Sequence, residues 1–139
     1  MGAWGMGIMD GDTPLDIRYE IFKIANVSEF TDDNEMSHPS TFKSEFEAAY
    51  DTIEAWCKSY TETWLGDNIA WLVFGVIIMD TGIEMKTTTF VSLDAACQDE
   101  LRITINGEAG WGEENRVERE DILLKFWKSV ITYYTEDVK

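Results

Sequence analysis

The amino-acid sequence predicts a mainly α fold: a compact single-domain bundle of about four to five helices over residues 1–139. Three observations favour this fold. Apolar residues recur at helical spacing along three segments, start or stop signals border these segments, and 139 residues is the size of one ordinary domain. With 45% hydrophobic residues, the chain has enough apolar side chains to bury a core, which argues against disorder.

The first helix is predicted after a glycine-rich opening. Residues 1–11 contain four glycines, which exclude a regular helix there. A capping Asp12 and a following Pro14 are typical of a helix start. Apolar residues then recur at helical spacing at Ile17, Ile21 and Ile24. These signals predict a helix over 14–26 and a polar, acidic loop over 28–38.

The clearest helical pattern lies in residues 40–64. Aromatic and apolar side chains step by three or four residues for six turns, at Phe42, Phe46, Tyr50, Ile53, Cys57, Tyr60 and Trp64. Gly66 then supplies a stop signal, since glycine commonly follows a last helical turn. We therefore predict one amphipathic helix over 40–64.

The run Ile69–Met79 is apolar on every side and predicts a central buried helix. Asp67 can cap its start and Gly82 can end it. Eleven apolar residues are too few to span a bilayer, so no membrane helix is predicted here.

Residues 86–107 allow a small β element, although the stretch after Gly107 is a poor second strand. Lys86–Val91 has strand-like composition, with three threonines followed by Phe and Val. Ser92 can cap a short helix over 93–102. Arg102–Gly107 resembles a strand that runs into an Asn-Gly turn.

The last helix is predicted over 114–135. Its apolar positions recur at helical spacing, at Val117, Leu123, Leu124, Trp127, Val130, Ile131 and Tyr134.

The net charge is the outlying property of this sequence. The chain has 27 acidic and 11 basic residues, a formal net charge of −16, whereas a magnitude of about 2–8 is usual for a small soluble domain. The excess divides almost evenly between residues 1–66 (−9) and 67–139 (−7). A negative folded surface disfavours direct contact with nucleic acid or an anionic membrane and favours a partner with a basic surface.

The sequence contains no recognisable catalytic or metal-binding signature. Its only histidine, His38, precedes Pro39 and is interpreted as an exposed or helix-start residue. Asp10, Asp12 and Asp16 resemble a calcium loop, but the loop's sixth and twelfth positions hold Leu and Ile instead of Gly and Glu. We therefore predict a protein without catalytic activity, metal or cofactor.

The two cysteines, Cys57 and Cys97, are isolated, without a CxxC pair or a disulfide framework. This usage is typical of buried, reduced thiols in a cytoplasmic protein.

A row of carboxylates along the 40–64 helix is the principal candidate for a binding surface. Glu47, Asp51, Glu54 and Glu62 follow one flank at steps of four, three and eight, with Lys58 as the only break. The loop adds Asp32, Asp33 and Glu35. Such a row can imitate a phosphate backbone toward a nucleic-acid-binding protein, or it can be a solvated face that keeps the protein soluble. Trp4 is interpreted either as an exposed interface anchor or as a core residue.

The opening Met-Gly-Ala-Trp-Gly-Met-Gly-Ile-Met-Asp-Gly-Asp, followed by a helix, resembles domain-of-unknown-function family 4259, whose members are small acidic bacterial and phage proteins. Residues 1–25 carry the resemblance. Met9 stands where the family usually has Phe, and Gly11 where it has an acidic or amide residue. The resemblance implies a helical fold and a bacterial or phage setting, and it implies no activity and no functional residues.

The leading hypothesis is therefore an acidic binding protein that inhibits a host defence or nucleic-acid-handling protein by occupying its basic surface, as a DNA mimic does. Phage origin would place it in the host cytoplasm. A toxin-neutralising immunity protein and a small-ligand-binding protein with an aromatic pocket among Trp56, Trp64, Trp71 and Trp127 are the alternatives. The apolar helices also allow assembly into a dimer.

Overall fold

A computed structural model of the chain describes residues 12–29, 35–63, 68–106 and 113–137. These residues form an all-α fold with six α-helices and one 3-10 helix, and no strand occurs among them. The predicted fold class is confirmed, with slightly more helices than the four to five expected. The α-helices are α1 Asp12–Ile24, α2 Lys43–Ala48, α3 Tyr50–Thr63, α4 Ile69–Thr81, α5 Thr87–Ile105 and α6 Glu113–Asp137, and the 3-10 helix is Pro39–Phe42.

Helix α1 begins and ends within two residues of the predicted bounds. It ends because Asn26 adopts the left-handed conformation at φ 59°. The Asn26 amide then donates to the Lys23 carbonyl at 3.0 Å, and the Val27 amide donates to the Phe22 carbonyl at 3.1 Å. This pair of bonds is a Schellman motif, which satisfies carbonyls that the last helical turn would leave open.

The predicted helix over 40–64 is divided into three pieces. The chain passes from the 3-10 helix into α2 and turns at Ala49, whose ψ of 2° interrupts the helix before α3 begins. The predicted apolar stripe nevertheless faces inward across both helices, and Phe46, Tyr50, Ile53 and Cys57 are all buried.

Helix α4 is the predicted central buried helix, and the structure confirms it. Ten of its 13 residues are buried, and it packs against α1, α3, α5, α6 and the 3-10 helix. Asn68 occupies its N-cap position; the predicted cap, Asp67, lies outside the described residues. Gly82, at φ 77°, ends the helix in the left-handed conformation that glycine adopts without strain.

Gly75, in the middle of α4, lets α5 and α6 approach closely. A Cβ atom at this position would lie 2.8 Å from Leu93 Cδ2 and 3.0 Å from Phe126 Cζ. Both neighbours are fully buried, so neither side chain has free space to move into.

The small β element that the sequence allowed around 86–107 does not form, because residues 87–105 are the single helix α5. Threonine favours strands only weakly, and here tertiary contacts decide: the Thr87 hydroxyl meets the Tyr134 hydroxyl at 2.7 Å. At the other end, the buried Thr104 hydroxyl donates to the Glu100 carbonyl at 2.8 Å, a bond that helical threonine readily makes. Asn106 is the C-cap instead of a turn residue; Gly107 lies outside the described residues.

Helices α5 and α6 form a long antiparallel hairpin. At one end the rings of Phe90 and Tyr134 stack at 4.2 Å. In the middle, Trp127 Nε1 donates to Asp94 Oδ1 at 2.7 Å. At the other end, Arg116 donates to the Ile105 carbonyl at 3.1 Å. These contacts set the register of α5 relative to α6.

Both cysteines are free and buried, as the sequence predicted. Burial raises the pKa of the Cys57 thiol, and it raises the pKa of Cys97 to about 12. At pH 8 each sulfur is therefore protonated, and a protonated thiol is a poor nucleophile.

We expect neither thiol to react with iodoacetamide in the folded protein at pH 8, because both sulfurs are protonated and shielded from solvent. Intact mass spectrometry should show no added group on the native protein and two added groups after unfolding in guanidinium. Rapid labelling of one cysteine under native conditions would contradict this packing.

No helix within residues 12–29, 35–63, 68–106 and 113–137 has both the length and the apolar character that crossing a bilayer requires.

Candidate functional site

Acidic and basic side chains are distributed differently between surface and interior. Among the described side chains no aspartate or glutamate is buried, whereas Arg18 and Arg119 are, at 6% and 9% exposure. Each buried arginine lies beside a glutamate that is itself mostly enclosed: Glu29 is 12% and Glu100 21% exposed.

The two buried arginines are held by contacts from neighbouring elements. Arg18 of α1 donates to the Ser37 carbonyl at 2.5 Å and forms an ion pair with Glu29 at 3.7 Å. Its guanidinium also lies 4.1 Å from the centre of the Phe22 ring. Arg119 of α6 pairs with Glu100 of α5 at 3.9 Å. Both arginines are thus built into the packing, and each guanidinium is paired with a carboxylate from a neighbouring segment.

A groove of about 530 Å³ lies between α3 and the first turns of α5 and contains most of the predicted acidic row. Trp71 of α4, only 6% exposed, lies at its base. One wall is formed by residues of α3 and the other by Thr88 and Ser92 of α5. The α3 wall consists of Asp51, Glu54, Ala55, Lys58, Thr61 and Glu62.

Glu54 joins α3 to the first turn of α5. Its carboxylate accepts hydrogen bonds from the hydroxyls of Thr88, at 2.9 Å, and Thr89. The Tyr50 hydroxyl in turn donates to Thr89 Oγ1 at 2.6 Å, and burial raises the pKa of Tyr50. A carboxylate beside a helix N-terminus is favourably placed with respect to the helix dipole. Glu54 therefore stabilises the fold and is not a freely solvated charge.

Asp51 is also bound to a neighbouring element. Lys86 Nζ lies 2.6 Å from Asp51 Oδ1 and 4.8 Å from the centre of the Tyr50 ring. The hydrogen bond with Asp51 raises the pKa of Lys86. Because the Asp51 carboxylate is 81% exposed, a partner can still reach it.

The remaining predicted acidic residues are distributed more widely than a single continuous helix would place them. Glu62 is exposed at the far end of the groove, and Glu47 is exposed on α2, beyond the turn at Ala49. Glu35 is also exposed. The predicted residues Asp32, Asp33 and Trp4 lie outside the described residues.

Among the described residues, Trp56, Trp71 and Trp127 make their contacts in three different places. Trp71 lies at the base of the groove, Trp56 packs against Tyr60 with ring centres 5.4 Å apart, and Trp127 is bound to Asp94 in the α5–α6 hairpin. Trp64 lies outside the described residues. The predicted aromatic pocket therefore has no counterpart around Trp56, Trp71 and Trp127.

His38 is the N-cap of the 3-10 helix, which agrees with the helix-start interpretation. The Ser40 amide donates to His38 Nδ1 at 3.2 Å, and the Ser40 hydroxyl lies 2.6 Å from the same nitrogen. Within the described ranges, no group of three or more His, Cys, Asp or Glu side chains is arranged to hold a metal ion.

The buried arginines and the threonine hydroxyls were not predicted from the sequence. A signal for Arg18 exists: it follows the core residue Ile17 and lies one turn before the core residue Phe22, at the edge of the apolar stripe. Thr88 and Thr89 gave no comparable signal, because their role depends on Glu54, which is distant along the chain.

Comparison with protein-family models, with curated proteins and with solved structures found no match for this chain. The resemblance of residues 1–25 to domain-of-unknown-function family 4259 stays a prediction.

Proposed function

We propose that this chain is a non-enzymatic acidic binding protein that occupies the basic surface of a host nucleic-acid-handling or defence protein, as a phage or mobile-element inhibitor acting in the host cytoplasm. The proposed contact surface runs along α2 and α3 and is centred on Glu47, Asp51 and Glu62. Glu54 lies behind this surface and holds α5 in place.

One observation carries the proposal: the chain has a net charge of −16, and most of its described carboxylates are exposed or half-exposed. The acidic excess is spread over both halves of the chain, −9 in residues 1–66 and −7 in residues 67–139. An exterior of this kind attracts a basic groove at long range and speeds association.

Helix geometry gives the surface a fixed shape. Asp51 and Glu62 are 11 residues apart on one α-helix, or roughly 16 Å at 1.5 Å per residue. The side chains of α3 are anchored from behind by Tyr50, Ile53 and Cys57, all at most 4% exposed. A rigid charged surface loses less conformational entropy on binding than a flexible acidic segment does.

The test compares two double variants that lower the negative charge equally. Glu47→Lys with Glu62→Lys alters the proposed surface, and Glu118→Lys with Glu136→Lys is the matched control on α6. All four glutamates are exposed, so both variants should fold. Tagged protein is used to capture partners from host lysate at low salt, and the affinity of the purified partner is then measured at several salt concentrations.

We expect the partner to be a nucleic-acid-binding or defence protein, to compete with DNA for its own basic site, and to bind more weakly as salt rises. The α2–α3 variant should lose affinity at least about tenfold, equivalent to roughly 1.4 kcal/mol, and the α6 variant much less. Equal losses in both variants would refute the assigned surface. Retention of no basic protein at low salt would refute the function itself.

A further inference from the structure

The outer side of the α5–α6 hairpin carries most of the exposed apolar side chains of the described residues. The described part of the chain has eight exposed large hydrophobic residues, and five of them lie on this hairpin. On α5 they are Val91 and Ile105, exposed by 61% and 45%. On α6 they are Val117, Leu124 and Ile131, exposed by 58%, 44% and 39%. We refer to these five residues, together with the exposed Gln98, as the hairpin face.

The spacing of these residues places each set along one side of its helix. Val91, Gln98 and Ile105 are seven residues apart, as are Val117, Leu124 and Ile131. A seven-residue repeat is nearly two full helical turns, so each set forms a stripe along the helix axis. Stripes of this kind are typical of helices that pack against other helices.

The two stripes lie next to each other on the same side of the hairpin. Gln98 donates to Asp94, and Asp94 accepts from Trp127 of α6, so Gln98 borders the contact between the two helices. Arg116 bonds to the Ile105 carbonyl, so Ile105 lies level with Val117. The ring stack of Phe90 with Tyr134 likewise brings Val91 level with Ile131. The hairpin face is thus a two-helix apolar layer.

Two acidic and two basic residues flank the centres of the two stripes in a symmetric arrangement. Asp94 and Arg102 lie four residues to either side of Gln98 on α5. Glu120 and Lys128 lie four residues to either side of Leu124 on α6. On each helix an acidic residue lies four positions before the central residue, and a basic residue lies four positions after it.

This symmetry makes the face complementary to itself. We propose that a second copy of the chain packs on it, related by a two-fold axis that crosses α5 at Gln98 and α6 at Leu124. Each helix then lies antiparallel to its equivalent in the partner. Leu124 meets the partner's Leu124, Lys128 meets the partner's Glu120, and Arg102 meets the partner's Asp94. The four helices form a bundle with a closed, isologous interface.

The size of the face fits a dimer of moderate stability. The shared length is 19 residues, or roughly 28 Å, and two helices about 9 Å apart present a layer of about 500 Å² per copy. Two copies then bury about 1,000 Å², which is near the lower limit for a specific interface. The dimer should therefore dissociate on dilution.

Binding of a second copy and binding of a basic partner should depend on salt in different ways. Each monomer has a net charge of −16, so two copies repel each other at long range. Added salt screens that repulsion and should strengthen the dimer, whereas it should weaken the proposed binding of a basic protein. The two interactions therefore respond to salt in opposite directions.

Analytical ultracentrifugation of the full chain at several concentrations and salt levels tests the proposal. We expect a monomer–dimer equilibrium that shifts toward dimer as salt rises. Leu124→Glu should weaken it at least tenfold, and Leu15→Glu, at another exposed apolar residue on α1, should leave it unchanged. Circular dichroism of both variants verifies that they fold. A monomer under all conditions, or a dimer insensitive to Leu124→Glu, would overturn the proposal.

Disulfide trapping tests the two-fold axis itself. A cysteine at position 124 should oxidise to a covalent dimer, because it faces its equivalent, and Leu15→Cys should not. The buried native thiols do not interfere. Lys128→Glu should weaken the dimer and Lys128→Glu with Glu120→Lys should restore it. Absence of the 124–124 disulfide, or failure of this charge exchange, would rule out the arrangement.

Discussion

Replacing Arg18 with methionine is expected to lower the free energy of unfolding by about 3–5 kcal/mol, the range found when one partner of a buried ion pair is removed. Methionine fills similar space but leaves the Glu29 carboxylate, 12% exposed, without its cation and the Ser37 carbonyl without its donor. Urea denaturation followed by circular dichroism measures the change.

Two further variants distinguish loss of the ion pair from a general destabilisation of α1. Arg18→Met combined with Glu29→Leu should recover much of the lost stability, because the unpaired carboxylate is removed as well. Lys23→Met, at an exposed position of the same helix, should change stability by less than about 0.5 kcal/mol. A loss below about 1 kcal/mol for Arg18→Met would show that Arg18 is solvated in the folded protein.

Replacing Gly75 with valine is expected to destabilise the protein by about 1–3 kcal/mol or more, the usual cost of adding side-chain atoms to a filled core. The Cβ alone would come within 2.8 Å of Leu93 Cδ2, and the two methyl groups require further movement of Leu93 or Phe126. Thermal unfolding provides the measurement.

The matched control for Gly75 is Ala55→Val on α3. Ala55 is exposed, so the same residue type is introduced into a helix without crowding and should cost only about 0.5 kcal/mol. Gly75→Ala should lie between the two, because alanine favours the helix by about 1 kcal/mol over glycine and so offsets part of the overlap. If Gly75→Val were as mild as Ala55→Val, α4 could not be in close contact with Leu93 and Phe126.

Helices whose apolar pattern and end signals agree were predictable from the sequence. The stripe from Phe46 to Cys57 faces the core as expected, even though a turn at Ala49 divides it. The apolar run that forms α4 was assigned correctly from its length and from the glycine at its end. In both cases the information is local, since burial of one face or of the whole surface is encoded in the residues themselves.

Helix α5 shows why the rest was not predictable. Its first turn holds three consecutive threonines, which by propensity favour a strand. Their hydroxyls are bound to Tyr50, Glu54 and Tyr134, residues 34 to 47 positions away along the chain. The same contacts also explain why Glu54 differs from the prediction: it was expected to be a free surface charge, but it is bound to the threonine hydroxyls and stabilises the fold. No local pattern contains this pairing.

The central position of α4 has a consequence for how the protein unfolds. Nearly every side of α4 is covered by another element. Detaching α1, α3, α5 or α6 therefore exposes part of the apolar surface of α4. An intermediate with one helix detached would expose the apolar side chains of α4 to water and to other molecules. The bundle should therefore open as a unit, and partly unfolded, aggregation-prone forms should be scarce at equilibrium.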